Sequence, residues 1–173
     1  MAFVFTVETG SADSDANSYT TVEFADDYIA ANAFASADWL SRTEDAKQKL
    51  LVRASKYLDR NVRWNGTRVD GESGLRWPRS GVYDADGFEI PDDMIPIVLQ
   101  EAVCELASYL MNDDWTAPQG ARGIRELKVD VIDIKFDSDM VRGTLPDFII
   151  QMLSDLGEVN SGRRPAFKQI IRS

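Results

Sequence analysis

Between Ile95 and Leu110 the apolar residues Ile95, Val98, Leu99, Ala102, Val103, Leu106, Ala107 and Leu110 recur at steps of three and four. That spacing lines them along one stripe of an α-helix. It is the clearest periodic signal in the chain, and it predicts a central core helix against which the remaining elements must pack. A chain of 173 residues that is 44% apolar can build one such core with some sequence left for arms, so a single domain is expected.

Other elements follow from weaker signals. Phe3, Phe5 and Val7 alternate with Val4 and Thr6, as in a short strand, and the small polar residues from Thr9 to Asn17 read as an exposed linker. Thr20 with Glu23 is a capping-box pattern ahead of Val22, Ala25, Ile29 and Ala33, which predicts a helix over 21–33. Ser41 with Glu44 repeats the signal, and Ala46, Leu50, Ala54, Tyr57 and Leu58 form the inward face of a second helix ending near Asn61. Lys47, Lys49, Arg53, Lys56 and Arg60 are interleaved with that face. Residues 61–93 are rich in turn pairs such as Asn65-Gly66 and Asp86-Gly87 and read as an ordered loop region. Leu127, Val129 and Val131, then Ile132, Ile134 and Phe136, alternate with a shift of one, which predicts a β-strand or hairpin arm at 124–137. Leu145-Pro146-Asp147 opens a last helix that Gly157 ends. The expected fold is mainly α: a bundle of about four helices with a long ordered loop region and that β arm. The domain layout is an N-terminal arm over 1–17, a helical domain over 18–157 and a basic tail over 158–173.

Charge is sorted along the chain. Residues 1–41 carry seven acids and no base, residues 42–79 ten bases and five acids, and residues 80–121 nine acids and no base. The last fourteen residues hold Arg163, Arg164, Lys168 and Arg172 without an acid, in a chain whose net charge is −10. Long acidic stretches repel a phosphate backbone, so only 42–79 and the tail can attract nucleic acid. The single cysteine, Cys104, lies within the apolar stripe, so no intramolecular disulfide is possible; a buried thiol and a reducing compartment, the cytoplasm when the chain is made, are expected. No apolar run approaches the roughly 18 residues of a membrane span.

The chain has no histidine, which excludes Ser-His-Asp and Cys-His triads and histidine metal sites. It also lacks a GxxxxGK[ST] or GxGxxG loop, and one cysteine cannot build a cysteine-rich zinc site. Asp26-Asp27, Asp92-Asp93 and Asp113-Asp114 are adjacent pairs whose side chains diverge. Asp84-Ala85-Asp86-Gly87 resembles part of a calcium loop but places Val82 at the first ligand position, and a turn is the better reading. No catalytic, cofactor or metal-binding residue is assigned, and the chain is not expected to be an enzyme. Arg60, Trp64, Arg76, Trp77 and Arg79 join cations to aromatic rings, the chemistry of a single-stranded nucleic-acid groove. Packing competes for the same residues, because Trp77-Pro78 can pin the loop to the core. In the tail, Phe167, Ile170 and Ile171 among Arg163, Arg164, Lys168 and Arg172 form a candidate protein-docking segment.

Three blocks carry a resemblance: Asn17-Ser18-Tyr19-Thr20-Thr21 with Ala25-Asp26-Asp27-Tyr28, Leu50 through Asp59, and Leu75-Arg76-Trp77-Pro78-Arg79. Together with the helix from Ile95 to Leu110, they resemble tailed-bacteriophage head–tail connector (adaptor) proteins. Many of these are labelled DnaT-like single-stranded DNA-binding proteins. The resemblance implies a structural subunit of the virion neck. Such subunits assemble after DNA packaging, typically as twelve copies, into a ring that touches the portal protein above and a tail or stopper protein below. Genomic double-stranded DNA passes through the lumen without sequence-specific binding, and no membrane is involved. The subunit would be made in the host cytoplasm and end at the head–tail interface; the basic tail, from its charge, apolar content and position, is the candidate portal clamp. The alternative is a single-stranded DNA-binding protein using the segment 53–79.

Burying each large apolar side chain of the 95–110 stripe contributes on the order of 1.5–3 kcal/mol. Leu106→Asp should therefore be among the most damaging single changes, by more than about 4 kcal/mol. Thermal melting checks it, and wild-type stability in that variant would refute the core helix.

Overall fold

The computed structural model describes residues 3–32, 35–111 and 145–159. Five helices and four short strands run in the order α1 (Val22–Ala30), α2 (Ser36–Leu40), α3 (Glu44–Asn61), β1 (Val62–Trp64), β2 (Thr67–Arg68), β3 (Arg79–Ser80), α4 (Ile97–Leu110), α5 (Asp147–Met152) and β4 (Gly157–Val159). β1 pairs with β4 and β2 with β3, both antiparallel. The described residues are 43% helix and 11% strand, which corrects the expected four-helix bundle. Helices of 5 and 6 residues cannot form bundle staves, and two small sheets take the place of a plain loop region. The expected arm at 124–137 lies outside the described residues.

The core helix is where its periodicity put it. Leu99, Ala102, Val103, Cys104, Leu106, Ala107 and Leu110 of α4 are buried, and the helix packs on α3, α1 and α5. Burial pushes the Cys104 thiol up to about 12, so little reactive thiolate forms at neutral pH. Helix starts fall one or two residues later than the capping patterns implied. Thr21 caps α1 by accepting from the Phe24 amide at 3.1 Å, and Thr43 caps α3 through the Ala46 amide. Thr20 is buried instead, because the preceding chain runs into the core.

α3 buries Lys47, Leu51, Ala54, Ser55, Leu58 and Asp59, so its inward face sits one residue on from the expected Leu50 and includes two charges. Both are satisfied. Lys47 Nζ pairs with Asp26 Oδ1 at 2.7 Å and stands 5.7 Å from the Trp39 ring centre, while Trp39 Nε1 donates to the same oxygen at 2.6 Å. This cluster ties α1, α2 and α3 together. At the other end of α3, the Asp59 carboxylate accepts from Tyr19 Oη (2.6 Å), Trp64 Nε1 (3.0 Å) and the Arg76 amide (3.1 Å). Tyr19 Oη in turn accepts from the amides of Arg76 and Trp77. Burial raises the pKa of both Asp59 and Tyr19, and the bonds donated by Tyr19, Arg76 and Trp64 pull Asp59 back toward the charged form.

Residues 9–17 are not a free linker. The buried Glu8 carboxylate accepts from the amides of Gly10, Ala12 and Asp13 at 2.8–3.0 Å, and Val7 bridges to Ser18. Gly10 has φ +112°, and a Cβ there would overlap the Asp93 carbonyl at 1.9 Å, so only glycine lets this loop close on the segment before α4.

Tyr19→Phe removes an acceptor from two amides and a donor from Asp59, while Asp59→Ala orphans Tyr19 Oη and Trp64 Nε1. We expect losses of about 1–3 and about 2–4 kcal/mol, respectively. Chemical denaturation checks both, and unchanged stability in either variant would contradict the hub.

Candidate nucleic-acid interface

Because Lys47, Leu51, Ala54, Leu58 and Asp59 turn one side of α3 inward, the spacing of Lys49, Arg53, Lys56 and Arg60 puts those residues together on the other side. Their steps of four, three and four form one stripe, extending over about 16 Å at the helical rise per residue. They line a shallow groove of about 460 Å³, joined by Val52, Tyr57, Asn61 and, from the N-terminal segment, Phe3. Among the described residues, no acidic side chain lines it. Lys49 is paired with Asp45 one turn away at 2.6 Å, but both side chains are more than half exposed, so solvent and salt weaken that bridge. Asn61 Nδ2 closes onto the Tyr57 carbonyl at 2.8 Å and finishes the helix end. Phe3 remains 47% exposed at the groove's edge, leaving ring surface open to a ligand.

The residues singled out for stacking divide differently. Trp77 is fully buried and Trp64 6% exposed; their rings meet edge to face with centres 6.0 Å apart. Neither offers a face to a base. Arg79 is buried as well, and its guanidinium spans three carbonyls, from Nε to Asn65, from Nη1 to Arg76 (3.1 Å) and from Nη2 to Gly66 (2.7 Å). Burial lowers its pKa. Arg68 works similarly, donating from Nη2 to the carbonyls of Ser73 and Leu75. Gly66, at φ +65° with the Ser80 carbonyl 2.2 Å from where a Cβ would sit, makes the turn that Arg79 holds. The Leu75–Arg79 block is thus a folding device that docks a loop on Asp59 and Tyr19. Of the five residues, Arg60 lies in the α3 groove, and Arg76 is exposed on the docked loop.

In the sequence the α3 cations stand between apolar positions with no shared surface assigned to them, and nothing there marks Phe3 as a wall. The four-three-four spacing was the available signal. The tail candidates Arg163, Arg164, Phe167, Lys168, Ile170, Ile171 and Arg172 lie outside the described residues. Among the described residues there is no cluster of acids and cysteine able to hold a metal ion, and no helix is long and apolar enough to cross a membrane.

A family model described as "Putative DnaT-like ssDNA binding protein" matches residues 2–172, and the chain belongs to that family. The description agrees with one half of the resemblance read from the sequence, the DnaT-like label, and does not extend to a head–tail connector. No curated protein and no solved structure matches the chain.

Arg79→Lys keeps the charge but cannot span three carbonyls with a planar fork. We expect it to cost about 1–3 kcal/mol in thermal or chemical unfolding. A neutral substitution would mean that the fork does not hold the turn.

Proposed function

We propose that the chain binds single-stranded DNA by its phosphate backbone, along the outer face of α3, and performs no catalysis. The observation that carries this reading is the stripe Lys49, Arg53, Lys56 and Arg60 in one groove with no acid among its described lining residues, on a chain whose net charge is −10. Cations held by one rigid helix contact successive phosphates without reading sequence. Phe3 borders the groove and supplies an exposed ring on which a base stacks, independent of base identity. The family description is consistent with this activity. The stacking pair assigned from sequence, Trp64 and Trp77, is replaced in this reading by Phe3.

A second reading, the head–tail connector, is favoured by a different surface. Asp84, Asp86, Glu89, Asp92 and Asp93 are all exposed, and no base accompanies them between Ser80 and Met111. Such a surface lets DNA pass without holding it, which a ring of copies in a virion neck requires. In that reading the groove and the basic tail contact protein, the portal among them.

Fluorescence anisotropy with a labelled oligo(dT), titrated against salt, separates the two. Backbone binding through three or four cations gives a log–log salt slope of about −2 to −3 for a single strand. Arg53→Ala with Lys56→Ala should weaken binding at least about tenfold at low salt and flatten the slope by about 1.4. Absence of binding at low salt, or binding untouched by this pair, would eliminate the α3 interface and leave the connector reading.

A further inference from the structure

The residues from Val82 to Ile90 form a small hairpin. The Ile90 amide donates to the Val82 carbonyl at 2.8 Å, the Asp84 amide donates to the Phe88 carbonyl at 2.9 Å, and Tyr83 bridges antiparallel to Glu89. Asp84 Oδ1 accepts from the amides of Asp86 and Phe88, and Gly87 turns the tip at φ +84°. The tip is therefore ordered by its own hydrogen bonds, and Val82 anchors it in the core. What it presents is unusual for a surface: Phe88 is 72% exposed and Tyr83 54% exposed, flanked by the exposed carboxylates Asp86 and Glu89. An aromatic anchor inside a ring of acids is a binding element whose complement must be apolar and cationic.

The α3 groove has that composition, with Phe3 and Val52 at its apolar wall and Lys49, Arg53, Lys56 and Arg60 around it. None of the hairpin residues lines the groove of its own chain. We propose that the groove accepts the Tyr83–Glu89 hairpin of a second copy of this chain, with Phe88 seated on its apolar wall and Asp86 and Glu89 among the α3 cations. Two different surfaces on one chain make the contact head to tail, so it propagates into a ring or filament and does not stop at a dimer. Pre-ordering of the hairpin lowers the entropy lost on docking. The proposal stands on the chemistry of the two surfaces and not on DNA binding, although hairpin and phosphate backbone would exclude one another from the groove.

Sedimentation velocity of the full chain at low and high salt tests it. The wild type should form species heavier than 19.4 kDa as concentration rises at low salt, and salt should dissolve them. Phe88→Ala should raise the self-dissociation constant at least about tenfold. The double variants Asp86→Lys with Glu89→Lys, and Arg53→Glu with Lys56→Glu, should each be monomeric alone, yet reassociate when mixed, since each then carries the charge that the other's partner surface needs. All these side chains are exposed, so matching melting curves confirm that the fold is intact. A wild type that stays monomeric at low salt up to about 100 μM, well above the dissociation constant of a specific contact, overturns the proposal. So does association that survives either charge reversal, or a mixture that fails to reassociate. The hairpin variants also keep the DNA readout separate: if DNA binds α3, they retain it, whereas the α3 reversal loses both activities.

Discussion

The Asp59 carboxylate is the point on which the described structure hangs. It sits in the last turns of α3, is 8% exposed, and receives donors from the segment before α1, from β1 and from the Leu75–Arg79 loop. Desolvating a charge is costly, and here the cost is offset by three hydrogen bonds to the carboxylate. Tyr19 extends the hub by holding the amides of Arg76 and Trp77, so one acid and one phenol together dock a loop that has little regular structure of its own. With the loop in place, Trp77 fills the core beside Trp64, and Arg79 can reach three carbonyls on the adjacent turn. Removing the hub leaves these later contacts without a fixed frame.

The same polar hub explains where the sequence was legible and where it was not. α4 could be read residue by residue, because its buried face is wholly apolar and nothing competes with the 3.6-residue period. α3 lies where its apolar pattern predicts, but its buried face sits one residue off that pattern, because an apolar count cannot favour Lys47 or Asp59 for the inside. Their partners, Asp26 for one and Tyr19 with Trp64 for the other, are set by tertiary packing. α2 is five residues long and leaves too short a pattern to detect. β1 pairs with β4 across more than ninety residues of sequence, so neither three-residue strand carries its partner's signal locally. The expectation of a simple bundle failed for these reasons together.

At the candidate site, legibility followed charge and failed for aromatics. A cation on a helix declares its face by spacing, and the α3 stripe could be drawn from the sequence alone. A tryptophan beside arginines does not declare whether its ring faces a base or a core. Trp64 and Trp77 resolved toward the core because Asp59 supplies an indole partner and the adjoining arginines are occupied by carbonyls. Phe3 could not be foreseen as part of the groove, since only folding brings residue 3 beside α3.

The two faces of α3 are physically coupled. Lys47 and Asp59, near opposite ends of the helix, are each locked inward, which fixes its rotation about its own axis and so fixes the direction of Lys49, Arg53, Lys56 and Arg60. A flexible segment with the same four charges would lose that much more entropy on binding a polyanion, whether phosphate backbone or acidic hairpin. The rest of the chain reinforces the site electrostatically. On a chain of net charge −10, anions are repelled by much of the described surface, and the groove is where Lys49, Arg53, Lys56 and Arg60 stand together. Within the described residues, an anionic partner is therefore steered to α3 by repulsion elsewhere as much as by attraction there, and increasing salt weakens both effects together.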